Sequence, residues 1–134
     1  MHKIDHIALA VKSLSTAVPL FEKLLNTPCY KIETVEGENV NTAFFQNGET
    51  KIELLESISD DGVIARFIDK KGEGMHHIAL LVEDIYAEIN RLKTAGFIFL
   101  NEEPKKGADN KLICFLHPKC TNGVLTELCQ EIKT

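Results

Sequence analysis

The chain has 134 residues, 44% of them hydrophobic and 26% charged, enough for one domain with its own core and too few for two independently stable ones. Fifteen basic against twenty acidic residues leave a formal charge of −5, which offers no long-range attraction for nucleic acid or an anionic membrane. No apolar run approaches the roughly eighteen residues of a membrane span. The opening MHKIDHIALAV reads as a strand and not as a basic, apolar leader, so the cytoplasm is the expected location. Cys29, Cys114, Cys120 and Cys129 lack the tight spacing of a redox or zinc pair. Cys29 and Cys129 lie in apolar stretches and are expected as reduced core residues.

In chain order, HIALAV at 6–11 reads as a strand and KSLSTAVPLFEKLL at 12–25 as a helix, with Val18, Phe21, Leu24 and Leu25 at helical spacing. Ser13 or Ser15 can cap that helix. Extended stretches follow at 29–35, 40–46 and 50–56, the last two separated by a turn at NGE, 47–49. VIARFI at 63–68 predicts a helical link before GEG at 72–74. HIALLV at 77–82 then repeats HIALAV with five of six positions identical. A second amphipathic helix follows with Ile85, Ile89 and Leu92, capped by Asp84 and stopped by Gly96. Further extended stretches are predicted at 97–100, 111–117 and 124–130, with EEPKKGADNK at 102–111 as a loop.

The order β-α-β-β-β therefore occurs twice, at a spacing of about 71 residues, which is too long for a solenoid unit. The expected fold is α/β of the α+β type. It has a first module over 1–60, a linking segment over 61–74 and a second module over 75–134, all within one domain. The two modules are expected to pair by a pseudo-twofold around a cleft, with helices on the outer faces.

Alternation along a strand puts His6, Ala8 and Ala10 on one face and Ile7, Leu9 and Val11 on the other. His77, Ala79 and Leu81 repeat that pattern. Glu53 lies in KIELLE and Glu127 in VLTELC, and a carboxylate between apolar neighbours is costly to bury unpaired. Two histidines and two carboxylates from repeat-related strands make a chemically sensible set for a divalent metal. Taken singly, each has a plainer reading: a strand histidine serving packing, or a rim glutamate paired with lysine. The repetition of the same residue type at corresponding places favours the metal. His76 should point away from His77 and serve packing, His117 lies at a strand end, and His2 has no assigned role.

Five segments carry a resemblance to a known family: DHIALAV at 5–11, GETKIELLE at 48–56, VIARFIDKKGEGMHHIALLVEDI at 63–85, EEPKKGADNK at 102–111 and FLHPKCTNGVLTEL at 115–128. With them the chain resembles the vicinal oxygen chelate (glyoxalase-like) superfamily and, within it, the methylmalonyl-CoA epimerases. The resemblance implies paired βαβββ modules, often assembled as a homodimer, with metal ligands at His6, Glu53, His77 and Glu127. It implies one divalent ion per subunit (Co, Mn, Ni, Zn or Mg), an acyl-CoA substrate, and interconversion of its (R) and (S) forms through α-proton abstraction and a metal-stabilised enolate. Glu127 is the expected proton-transfer residue. A bacterial family member uses an additional carboxylate on the strand before that of Glu53, and the best-matching position here is Asn41, whose amide is no base. Lys105, Lys106 and Lys111 lie in a polar loop and could meet CoA phosphates, or simply be solvated.

The nearest alternative is lactoylglutathione lyase, glyoxalase I, which resembles this chain in its metal set. Its bacterial forms resemble H-T-M-L-R-V and ELTYN where this chain has Ala10 and Ser57, so the polar contacts to glutathione are missing. Another metal-dependent member of the superfamily and a metal-free binding or resistance module of the same fold are the remaining alternatives, and metal-free modules usually break the ligand set that this chain keeps.

Overall fold

The computed structural model describes residues 3–133. The chain divides into two compact units, residues 6–76 and residues 77–133 together with 3–5. The first runs from β1 (Lys3–Ala10) through α1 (Leu14–Leu25) to β2 (Lys31–Val35), β3 (Val40–Asn47) and β4 (Thr50–Ser57), then α2 (Val63–Lys71). Its strand order is β2-β3-β4-β1, antiparallel except for the parallel pair β4–β1. A parallel pair cannot be closed by a hairpin, and the intervening helix and strands provide the crossover.

The second unit repeats the wiring with β5 (Gly74–Leu81), α3 (Ile85–Thr94), β6 (Lys105–Lys106), β7 (Lys111–Leu116) and β8 (Thr126–Glu131). Its order is β5-β8-β7-β6, again with one parallel pair, β5–β8. Each sheet turns one face to its own helix. Val11, Ala43, Phe45 and Leu54 pack with Leu14 and Ala17 of α1, and Phe21 and Leu25 join them. In the second unit Cys114, Leu116 and Leu128 pack with Ile85 and Ile89 of α3. Of the helical stripe read from the sequence, Val18, Phe21 and Leu25 reach this core, as do Ile85, Ile89 and Leu92 in the second unit, whereas Leu24 is exposed.

Strands β4 and β8 also hold the helices by their first turns. The Glu56 carboxylate accepts from the Leu14 N–H at 3.2 Å, and Gln130 Oε1 accepts from the Ile85 N–H at 2.7 Å. Asp84 caps α3 as expected, accepting from the Ala87 N–H at 3.1 Å. Ser13 takes the cap position of α1 without a side-chain cap bond, its hydroxyl meeting that of Ser15 instead. The strand residue Glu56 meets the need that a serine was expected to meet.

The extended run expected at 97–100 forms only an isolated bridge, Phe99 with Leu116. Two backbone hydrogen bonds flank that bridge, Leu100 N–H to Phe115 and His117 N–H to Ile98. The edge partner of β7 is instead the two-residue β6, inside the stretch expected to be a loop. Pro104 lies directly before it and supplies no donor, and β6 is too short to announce itself by alternation.

At the start of α2, a Cβ on Gly62 would run into Ser57 Oγ and approach Asn39 Nδ2 to 2.8 Å. Both atoms are engaged in hydrogen bonds to Ser59, so neither is free to withdraw. Gly62→Ala is expected to lower the melting temperature by roughly 4–12 °C, the effect of an overpacking cost of about 1–3 kcal/mol. An unchanged thermal denaturation curve would show that this loop yields without cost.

Candidate metal centre

In the first unit, Ala8 of β1 lies opposite Glu53 of β4, and His6 is two residues back on the same face. Because Ala8 presents only a methyl group, the imidazole and the carboxylate meet, His6 Nδ1 to Glu53 Oε2 at 3.1 Å. On the other side of Glu53, β3 places Phe44 directly opposite, and its ring is fully buried. The carboxylate thus stands between a histidine and an aromatic wall. His6 and Glu53 are themselves buried.

The second unit builds the same arrangement. Ala79 of β5 lies opposite Glu127 of β8, and His77 Nε2 approaches Glu127 Oε1 to 3.2 Å. Phe115 of β7 is opposite Glu127, and its ring stands edge-on to His77 with centroids 5.3 Å apart. Both polar residues are buried here too. Two burials of a histidine against a glutamate, on corresponding strands, are hard to account for by packing alone, since each removes ionisable groups from water.

Each of the four belongs to one or both of two three-residue groups that could hold a metal ion, one of which also includes Asp5. Imidazole nitrogen with carboxylate oxygen suits a divalent transition metal, and the carboxylates supply the compensating negative charge. The donor chemistry fits a divalent-metal-dependent active site.

The other residues singled out from the sequence take simpler roles. His76 turns from the His77 face and packs edge-on to Phe67 of α2, centroids 5.0 Å apart. His117 Nδ1 accepts from the Lys119 N–H at 3.1 Å and starts a short 3₁₀ turn. His2 lies outside the described residues. Ala10 is fully buried, and the Ser57 hydroxyl donates within its own loop, to the Ser59 carbonyl.

Cys29, Cys114, Cys120 and Cys129 are free thiols. Cys29 is only partly buried while Cys129 is fully so. Burial raises Cys114 to about 11, the wrong direction for a nucleophile.

Asn41 does not share a face with Glu53. It lies opposite Glu56, on the helix side, and its Oδ1 accepts from the Thr34 hydroxyl at 2.7 Å. The nearest β3 residues on the face of Glu53 are Phe44, Thr42 and Gln46. Lys111 is not a loop lysine. It opens β7, is 5% exposed, and its ammonium donates to Asp109 at 2.9 Å with Asp5 at 3.9 Å. Burial opposes its charge, but the hydrogen bond to Asp109 and the charges of Asp5 and Asp109 outweigh it and raise the pKa above the ordinary lysine value. Lys105 and Lys106 are exposed on β6. The burial of Asp5, the residue before His6, was missed in the sequence, where it looked like an ordinary polar start to a strand.

The family model of the Glyoxalase/Bleomycin resistance/Dioxygenase superfamily matches residues 5–115. The ethylmalonyl-CoA/methylmalonyl-CoA epimerase of Cereibacter sphaeroides is 39% identical over 96% of this chain and 97% of its own length. The mitochondrial methylmalonyl-CoA epimerase of Homo sapiens is 38% identical over 96% of this chain and 73% of its own. Among solved structures, a methylmalonyl-CoA epimerase variant of Streptomyces coelicolor in complex with 2-nitronate-propionyl-CoA superposes with a TM-score of 0.92. It is 31% identical and covers 98% of each chain. The chain belongs to this superfamily and, within it, to the methylmalonyl-CoA epimerase family, with the tandem βαβββ fold.

His77→Ala is expected to leave a folded chain, since Phe115 and Ala79 still line the site, and to reduce bound divalent metal at least tenfold. Elemental analysis of the purified variant beside its circular dichroism spectrum checks both points. Full metal content in a folded His77→Ala protein would remove His77 from the ligand set.

Proposed function

We propose that this chain is a metal-dependent epimerase that interconverts (R)- and (S)-methylmalonyl-CoA, with His6, Glu53, His77 and Glu127 as its metal ligands and Glu127 as its principal acid/base. The carrying observation is the buried histidine–glutamate pair, built twice on corresponding strands, in a chain matched over nearly its whole length by an epimerase of such thioesters.

The chemistry asks for removal of a weakly acidic proton from the carbon between a thioester and a carboxylate, and for its return to the opposite face. His6, Glu53, His77 and Glu127 would hold a divalent ion, which when bound would supply Lewis acidity toward the substrate's oxygens. Glu127 takes the α-proton on a carboxylate oxygen as the C–H bond breaks and its electron pair moves into the thioester carbonyl. Re-formation of a C–H bond on the other face inverts the centre, with the proton delivered by Glu53 in its protonated form; Glu127 ends protonated and Glu53 ionised, and proton exchange with solvent resets the pair. The rings of Phe44 and Phe115, each directly across from one of these carboxylates, lower the local dielectric around them. Neither Asn41, which faces the helix, nor any thiol enters this scheme.

Two measurements test the reading. The wild-type protein, loaded in turn with Co, Mn, Ni and Zn, is expected to exchange the methylmalonyl-CoA epimers in at least one form and to turn over the methylglyoxal–glutathione hemithioacetal poorly. Comparable or faster lyase turnover, with no epimer exchange in any metal form, would replace the epimerase by glyoxalase I. Separately, Glu127→Gln keeps an oxygen ligand but loses the base. At matched metal occupancy its α-proton exchange into deuterated water should fall by roughly 10²–10⁴-fold, and near-normal exchange would move the base role elsewhere.

A further inference from the structure

On the face of the first sheet that carries Glu53, one polar side chain stands out. Thr42 of β3 is 1% exposed, and its hydroxyl has no hydrogen-bond partner among the described residues. A buried hydroxyl without a partner is a cost that a folded chain normally avoids. Its neighbours on this face are Leu55 directly across on β4, Phe44 two residues along on its own strand, and Glu33 directly across on β2, which is paired with Lys31 at 3.7 Å. The corresponding position in the second unit shows what packing alone selects. Two residues before Phe115, and opposite Cys129, β7 carries Ile113, which is also buried. A valine or isoleucine would therefore serve the core at position 42 without the unsatisfied hydroxyl.

We infer that Thr42 is a specificity-determining residue whose hydroxyl donates a hydrogen bond to the free carboxylate of a carboxylated acyl thioester. Thr42 is the diagonal neighbour of Glu53, two cross-strand pairs along on the same face, which places their Cβ atoms within roughly 7–8 Å. A small acyl group seated at Glu53 spans that gap. The malonyl carboxylate has two oxygens and a full charge, and it is the one part of such a substrate that an uncharged acyl-CoA lacks. A buried hydroxyl donor adds most to an anionic acceptor, because burial strengthens the bond. Thr42 is no base and moves no proton. This inference rests on the acyl-CoA reading above and assigns to it the contact that recognises the acid.

The test compares malonyl-CoA with propionyl-CoA as ligands of the metal-loaded wild type, Thr42→Val and Thr42→Ser, by titration calorimetry. The wild type should prefer malonyl-CoA. Thr42→Val should lose about tenfold or more of its malonyl-CoA affinity while binding propionyl-CoA as before, and Thr42→Ser should retain most of the wild-type preference. The ligand-free Thr42→Val protein should melt at or above the wild-type temperature, a result that a purely structural role for the hydroxyl would reverse. A Thr42→Val protein that keeps the wild-type ratio of the two affinities, or that melts lower, overturns the assignment. If the valine variant fails to fold, the serine and an alanine variant carry the comparison, with loss of the preference expected only in alanine. A wild type that binds neither thioester sinks the acyl-CoA reading itself, whereas one that binds both with its variants unchanged sinks only the role of Thr42.

Discussion

A carboxylate placed in the middle of an apolar strand has to be answered, and much of this molecule is organised around that answer. Glu53 and Glu127 are each met by a histidine from the parallel neighbour strand, at 3.1 and 3.2 Å. That approach depends on Ala8 and Ala79, the residues directly opposite each glutamate; a larger side chain there would part the pair. The parallel pairing depends in turn on a crossover helix, and the helix depends on the far face of the same strand. Three residues beyond each glutamate, on the reverse side, Glu56 and Gln130 hold the first N–H groups of α1 and α3. One strand thus fixes both the buried carboxylate and the element that keeps the strand in register.

This coupling explains which parts of the structure were legible in the sequence. The strand-helix repeat was visible because HIALAV and HIALLV alternate cleanly and the helices after them keep a 3.6-residue period. The facing of His6, Ala8 and Ala10 followed from alternation, as did the placement of His76 on the side away from His77. Glu53 and Glu127 were conspicuous as charges in apolar runs.

The features that escaped depend on partners distant in sequence. Glu56 looked like one more strand-end charge, and only the folded chain brings it to the Leu14 N–H. Lys111 sat in a stretch of polar residues, and its burial follows from where β7 begins and from Asp5, over a hundred residues earlier. Asn41 lies one step out of phase with Glu53. In a strand a single step reverses the face, and the position that shares a face with Glu53 is Thr42. The weak strand at 97–100 and the short β6 show the same limit, since isolated bridges and two-residue strands are set by the neighbouring strand and leave little periodicity of their own.

The unlike pair Thr42 and Ile113 bears on how such a molecule evolves. If the two units descend from a duplicated ancestor, each inherited the same instructions for packing, and those are still readable in both. A ligand that is not itself symmetric needs a given contact only once. The copy relieved of that contact is then free to accumulate apolar substitutions that favour folding, while its sibling retains a hydroxyl that folding alone would discard. Divergence between internal copies, read position by position at equal distance from the two glutamates, therefore separates what the chain keeps for its architecture from what it keeps for its substrate.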